Sequence, residues 1–414
     1  MRPYLLKFNL RMGRPSVAVD MFHRLMYLRF RYDLSYERLV QAVSDSIVWR
    51  QFCRIPLGAK APDSTTLVKL VKKYGPELLD ELNRQLVDKA REKKIVRGRK
   101  LRVDTTVVES DIDYPTDADL MWDGVKALTR AVKQLRRAGA VTAKRFRDHT
   151  RGVKKHMLGI AKVLQRRSGE NRAEVLRITG EIVKVTKRAV TTAKAVIYEA
   201  TEHGAGAAGR AVKATLNKLR RVADLSERVI RQTEQVLSGD RHVADRIVSL
   251  VDADARPIRK RKLKAPTEFG YKVVIQESEK RLITGYEVLK GNPADGGTLR
   301  STMERHEQAF GRAPLEVAAD RGFSTPENER LLEQHGVERA AIPRRGKLGP
   351  ERKAYQGQRW FRRLQRWRAG SESTISLLKR RHGMRRSRMR GYDSARTWVA
   401  SAVFAHNLCT LATI

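Results

Sequence analysis

The chain has 414 residues, 41% of them hydrophobic, enough for a packed core and for roughly two or three domains. Lys and Arg number 86 against 46 Asp and Glu, a formal charge of +40 that repels itself unless a polyanion is bound. Nucleic acid is therefore the expected partner. No apolar run approaches the ~20 residues of a membrane span, so no membrane is expected.

The N-terminus, MRPYLLKFNLRMGR, is basic and lacks the apolar centre of a signal peptide. Cys53 and Cys409 form neither a zinc pattern nor a disulfide framework. A cytoplasmic protein that associates with the nucleoid is the expectation. Residues 15–95 read as helical. SYERLVQAVSDSIVWRQFC is periodic, with Leu39, Val40, Val43, Ile47 and Phe52 near one face. In DSTTLVKLVKKYG, Asp63 can cap a helix whose exposed side carries Lys69, Lys72 and Lys73. Two short helices, the second basic, resemble a helix-turn-helix, so residues 1–95 are expected to form a DNA-binding domain. A helical bundle with a solvated lysine face is the plainer reading.

KLRVDTTVVES, residues 100–110, is β-branched and has no helical period, so a strand is expected. Asp104 lies inside it, an unfavourable place for a charge unless it is solvated or paired. YPTDADLMWDGVKALTR then opens a helical stretch that Thr116 or Asp117 can cap. Helix formers continue to about residue 250, interrupted at RRSGENRAE and EHGAGAAGR. Between the second break and Ser238, apolar residues recur at Val212, Leu216, Leu219, Ala223, Val229 and Val236, the pattern of a long amphipathic helix. Residues 121–170 hold 14 Lys/Arg and 3 Asp/Glu, a one-sided charge that suits a DNA backbone. Residues 118–255 are expected to be a basic helical insertion, an antiparallel arm.

FGYKVVIQESEKRLITGYEVL reads as a hairpin, with Lys272 near its start as a possible phosphate contact. GGTLRSTMERHEQAFG is a helix. In LEVAADRGFSTPENERLLEQHG, Leu315, Val317 and Ala319 alternate like a strand that stops on Asp320. Ser324 and Glu327 then read as a capping box, with Pro326 in the first turn. A carboxylate at a strand's C-terminal end, facing a helix N-terminus, can cap, accept a proton or bind metal. VERAAIPR is a further short strand, and the remainder is helical and basic. With residues 118–255 set aside, residues 96–117 and 256–414 form one mixed α/β domain. Its first strand and the Asp320 strand can be neighbours.

A third acid comes from QRWRAGSESTISLLKRRHG. On a helix, Arg368, Glu372 and Lys379 share a stripe, with Glu372 and Lys379 two turns apart, roughly 10 Å. Two readings stand for Glu372: an i, i+4 pair with Arg368 on a solvated helix, or a metal ligand beside Asp104 and Asp320. Three acids in so basic a chain favour bound Mg²⁺, which takes oxygen ligands and keeps open positions. Two such ions suit phosphodiester chemistry, Mn²⁺ being able to substitute. Arg368 and Lys379 would hold phosphates beside them.

Arg368, Glu372 and Lys379 fit the spacing of a Tyr-Arg-Glu-Lys signature, with Gln365 at the tyrosine position. With VDTTVVESDIDYPTDADLMWDGV, FGYKVVI, GNPADGGTL, ADRGF and AHNL in order, the chain resembles the DDE transposases of bacterial insertion sequences, groups four and five and their relatives. The resemblance implies a ribonuclease-H-like catalytic domain with Asp104, Asp320 and Glu372 as its metal-binding triad. It implies binding of terminal inverted repeats and target DNA, strand cleavage and strand transfer, and a homodimer holding two ends. Asp320 and Glu372 are 52 residues apart, leaving no room for the β-rich insertion that relatives often carry there. The alternatives are a structure-specific nuclease on the same fold, or an inactive, domesticated DNA-binding derivative.

Overall fold

The computed structural model describes residues 17–166, 171–202, 209–240, 242–259, 266–344 and 346–414. The basic N-terminal stretch lies outside these residues, and the expected breaks at RRSGENRAE and EHGAGAAGR fall partly outside them. The chain divides into two compact units. Unit 1 is Met1–Asp111 with Ile258–Ile414, and unit 2 is Ile112–Pro257.

Unit 1 opens with α1 (Val19–Arg31), α2 (Tyr36–Asp45), α3 (Ile47–Cys53) and α4 (Ser64–Glu92). The periodic stretch expected as one helix is two. Ser46 leaves the helical region at φ −112°, ψ 114°, and its hydroxyl caps α3 by accepting from the Trp49 N–H at 3.2 Å. The break rotates α3, so Leu39 and Val43 are buried while Ile47 is 68% exposed. The Arg50 guanidinium donates to the carbonyls of Pro56, Leu57 and Ala59, closing the loop into α4. Asp63 caps α4, accepting from the Thr65 N–H at 2.7 Å. Gly75, at φ 72°, and Pro76 kink this helix.

The sheet begins with β1 (Lys100–Ser110), and β2 (Arg256–Arg259), β3 (Thr267–Glu277) and β4 (Ile283–Val288) follow the helical segment. Next come α9 (Leu299–Phe310), β5 (Glu316–Ala319), α10 (Pro326–Gln334), β6 (Arg339–Ala341), α11 (Pro350–Gly357), α12 (Arg359–Arg381), β7 (Arg386–Ser387) and α13 (Tyr392–Ala412). Strand order is β2-β3-β1-β5-β6, with β4 also on β3 and β7 on β1. β3 runs antiparallel to β1 and β4, whereas β5 is parallel to β1 and β6. This mixed sheet among helices is consistent with the ribonuclease-H-like expectation.

Side-chain alternation sorts the two faces. Leu101, Val103, Val274, Val317 and Ala319 pack with Leu299, Met303 and Leu331 of α9 and α10. On the other face, Ala318 and Ala341 pack with Phe361 and Leu364 of α12. Tyr271, Val273 and Ile275 pack with Trp398, Val399 and Val403 of α13. β5 does not show the one-sided alternation expected of it. All four residues are buried, because helices cover both faces. The cap of α10 is Thr325, which accepts from the Asn328 N–H at 3.2 Å, rather than Ser324.

Unit 2 contains α5 (Asp117–Arg137), α6 (Thr150–Gln165), α7 (Asn171–Glu202) and α8 (Arg210–Leu237). Thr116 caps α5 through the Asp119 N–H at 3.1 Å. The four helices share one aliphatic core that includes Leu128, Val132, Ile182, Val190, Leu219 and Val229. Gly124 lets α5 and α8 approach, since a Cβ there would sit 2.6 Å from the Ser226 hydroxyl. Asp117, in the first turn of α5, binds Arg246 at 2.7 Å, and Asp123, in the second turn, binds Lys126 at 2.7 Å.

Candidate active site

The last registered pair of the parallel strands β1 and β5 is Val103 with Ala319. Asp104 and Asp320 follow one residue later on each chain. β1 runs on to Ser110 while β5 stops, so the β1 edge opens at Asp104. Strands that lie ~4.8 Å apart thus deliver two carboxylates to one opening. Asp104 shares its face with Arg102, toward α12. Two cavities meet at this opening, and Asp104, Thr105, Asp320 and Arg321 line both. One, of about 680 Å³, adds Gln365, Arg368, Glu372 and Lys379 of α12. The other, of about 720 Å³, adds Arg259, Lys272, Asn292, Asp295 and Arg344.

Each aspartate also has a backbone partner. Asp104 Oδ1 accepts from the Thr105 N–H at 2.8 Å, and Asp320 Oδ1 accepts from the Gly322 N–H at 2.6 Å. Asp320 is therefore a cap as well as a cavity wall. Asp104 Oδ2 accepts from the Ser371 hydroxyl at 2.9 Å and from the Arg368 guanidinium at 3.3 Å. Burial raises the Asp104 carboxyl above the usual range; Arg368, Ser371 and Thr105 oppose this, and the nearby charge of Asp320 reinforces it. The second arm of Arg368 donates to Glu372 Oε1 at 2.9 Å. The i, i+4 pair read from sequence is present, but Arg368 also reaches a second acid, Asp104, 264 residues away.

The helix that carries these groups is fixed from below. Arg102 and Glu277 form a buried ion pair at 2.5 Å, their side chains 4% and 0% exposed. The Arg102 guanidinium also donates to the Trp367 carbonyl at 2.6 Å, and Thr374 donates to Glu277 at 3.0 Å. Burial raises the Glu277 carboxyl, against the pull of Arg102. Gly370 admits the guanidinium, since a Cβ there would lie 2.6 Å from it. Gln365, at the position where the signature has tyrosine, donates to the carbonyls of Ala319 and Ala341, tying α12 to the ends of β5 and β6.

Lys272 does not point a free ammonium at a phosphate. It is 9% exposed, binds Asp295 at 2.5 Å and donates to the Pro293 carbonyl at 2.7 Å. Asp295 was not singled out as a site residue by the sequence reading. A Cβ on Gly322 would lie 2.7 Å from Asp320 Oδ1 and 2.8 Å from Asp295 Oδ2, so these two acids flank one glycine. The signal was an aspartate in the turn GNPADGG, directly before a helix. Glu109 and Asp111 pair with Arg386 and do not line either cavity. Lys69, Lys72 and Lys73 are exposed on α4.

A hard divalent cation suits this donor set, because carboxylate oxygens from two strands already crowd one opening. Among the described residues no three His, Cys, Asp or Glu converge into a ready-made metal cage. Asp320 fits directly, while Asp104 Oδ2 and Glu372 Oε1 are both turned to Arg368. No helix among the described residues is long and apolar enough to cross a membrane.

Two family models match the chain: "Transposase domain (DUF772)" over residues 3–73 and "Transposase DDE domain" over residues 244–408. The chain is 33% identical over 127 residues to "Uncharacterized protein ORF8 in nfe locus" of Rhizobium meliloti. That alignment covers 30% of this chain and 61% of the relative, so the chain spans less than two thirds of the relative's length. No solved structure matches.

Proposed function

The chain belongs to the DDE transposases of insertion-sequence type, and from that premise we propose that it binds the terminal inverted repeats of its element, cuts there and joins the freed ends to target DNA. The observation that carries this reading is the meeting of Asp104 and Asp320, one residue past the last registered pair of β1 and β5, in a cavity shared with Arg368, Glu372 and Lys379.

Asp104, Asp320 and Glu372 would hold two divalent cations, Mg²⁺ or in its place Mn²⁺. Such ions would supply the charge that eases deprotonation of the attacking water or hydroxyl and steadies the leaving 3′ oxygen. The protein's own residues do the rest. Arg368 and Lys379 hold the scissile phosphate against the acids, and a guanidinium fork suits two phosphate oxygens at once. Gln365, Arg102 and Glu277 hold α12 in register with β5, which fixes where that phosphate sits. Water is the first nucleophile and frees a 3′ hydroxyl. That hydroxyl is the second: its oxygen attacks a phosphodiester of target DNA, and the target strand's own 3′ oxygen leaves as the new bond forms.

Lys69, Lys72 and Lys73 would meet the backbone of the repeat, and the basic helices of unit 2 would add phosphate contacts. Affinity for any duplex then falls with salt, with a log–log slope near −0.9 per phosphate neutralised. Two ends must be cut together, so a homodimer on DNA is expected.

The test is strand cleavage of a duplex bearing the element's end. Asp104→Asn, Asp320→Asn and Glu372→Gln should each lower cleavage more than about a hundredfold in Mg²⁺. Gel-shift affinity for the same duplex should change far less, by no more than about tenfold, because the neutralised groups are not themselves phosphate contacts. Cleavage near the wild-type rate by any one variant removes that residue from the triad.

A further inference from the structure

Arg368 joins two of the acids that the proposed function assigns to metal. One guanidinium nitrogen lies 3.3 Å from Asp104 Oδ2, and another lies 2.9 Å from Glu372 Oε1. The arginine side chain is 15% exposed and Asp104 14%, whereas Glu372 is 68% exposed. Glu372 therefore reaches inward from a largely solvated position, and what it reaches is the guanidinium. A cation bound by Asp104 and Glu372 together would have to sit where that positive charge now stands.

The same guanidinium has a second natural partner. It faces the cavity that also holds Asp320 and Lys379, and its planar fork fits two oxygens of a phosphodiester as well as it fits two carboxylates. A phosphate entering that cavity competes for Arg368 and leaves both acids without their counter-ion.

We propose that Arg368 is a positioning residue that holds Asp104 and Glu372 in the absence of DNA and yields them to a divalent cation when a DNA phosphate takes its guanidinium. Metal assembly is thereby coupled to duplex binding, and the acids neither repel one another nor gather metal before substrate arrives. The proposal rests on the metal reading of Asp104 and Glu372. It adds the order of events. Coupling of this kind is reciprocal: what duplex does to metal affinity, metal does to duplex affinity.

The experiment measures Mn²⁺ binding to the full chain by the electron-spin-resonance signal of free Mn²⁺, with and without a short duplex, subtracting duplex alone. Wild type should bind Mn²⁺ about tenfold more tightly with duplex, a typical size for coupling between sites. Arg368→Ala should bind Mn²⁺ without duplex about as tightly as wild type does with it, and duplex should add nothing further. Arg368→Lys keeps the charge and loses the fork, so it should also bind more tightly than wild type without duplex.

Equal duplex-free affinities of wild type and Arg368→Ala would overturn the proposal, as would a tenfold duplex effect that survives in Arg368→Ala. Wild-type behaviour of Arg368→Lys would overturn it too, because charge alone would then be enough. Asp104→Asn separates the two layers. If it loses the Mn²⁺ site while Arg368→Ala changes nothing, the metal reading stands and the ordering role of Arg368 falls. If it binds Mn²⁺ as wild type does, the metal reading fails and takes the proposal with it.

Discussion

The two compact units bury different things. Unit 2 closes four helices on an aliphatic core, and among its described residues Asp252 is the one buried carboxylate. Unit 1 buries Arg29, Arg50, Arg102, Glu268, Lys272, Glu277 and Glu316. An aliphatic core needs only the right volume and pattern, so many sequences satisfy it. A buried charge needs a partner at a set distance and angle, or it costs several kcal/mol. Three of unit 1's buried charges, Arg102, Glu277 and Lys272, lie on β1 and β3 near where Asp104 emerges. Such pairs are a weak source of stability but a strong constraint on geometry.

Glu277→Ala should separate the two units most sharply. The Arg102 guanidinium cannot shed its proton and would be left buried without a counter-charge, a loss of about 3–5 kcal/mol. Leu128→Ala in unit 2 should cost a similar ~2–5 kcal/mol through its cavity. The two differ in consequence. Thermal melting should fall in both, but only Glu277→Ala should also lower strand cleavage beyond the loss of folded protein, because α12 is tied to Glu277 through Thr374. Equal effects on cleavage would erase the distinction between the units.

Acid should separate them next. His382 is 1% exposed, and burial, with His406 and Arg31 nearby, lowers its pKa to about 4. His406 is lowered in the same sense. A histidine held neutral by the fold contributes fully above its unfolded pKa near 6.5, and that contribution is lost as pH falls toward 4. For His382 the loss is on the order of 3 kcal/mol across that window. Hydrogen exchange at pH 5 should therefore show unit 1 opening before unit 2, and His382→Leu should shrink the difference. Unit 2 opening first would contradict this account of unit 1.

Gly322→Ala is a finer probe. The added methyl would crowd the carboxylates of Asp320 and Asp295 without touching the core. Cleavage should fall about 10- to 100-fold, as for a displaced outer partner of a metal ligand, while melting moves little. A fully active variant would mean that the position of Asp320 is not narrowly set.

Much of the chain was legible because local pattern and tertiary demand agree. β-branched residues at 100–110 form the strand expected of them, and the stripe from Leu216 to Val229 is buried along α8. The hairpin at 269–289 and the stop at Asp320 follow turn and breaker residues. What escaped depends on partners distant in sequence or on exact backbone angles. Ser46 looked like a helix-interior residue until its hydroxyl was needed as a cap. Lys272 reads as a phosphate contact, but its partner Asp295 lies beyond the next strand. Arg102 was as conspicuous as Asp104, a charge inside a strand, and the argument applied to one applies to the other. Its partner Glu277 is 175 residues away, which no periodicity reveals. Gln365 departs from the signature tyrosine, and its carbonyl contacts on β5 and β6 become visible only once those strands end side by side.

The opening at Asp104 and Asp320 is expected to hold divalent metal. Iron(II) with ascorbate and oxygen generates radicals that cut the polypeptide near a bound ion, so it maps the site without any need for catalysis. With duplex present, the cuts should fall close to Asp104, Asp320 and Glu372, excess Mg²⁺ should suppress them, and Asp104→Asn should abolish them. Cuts elsewhere in the chain, or cuts unchanged by Asp104→Asn, would contradict the account.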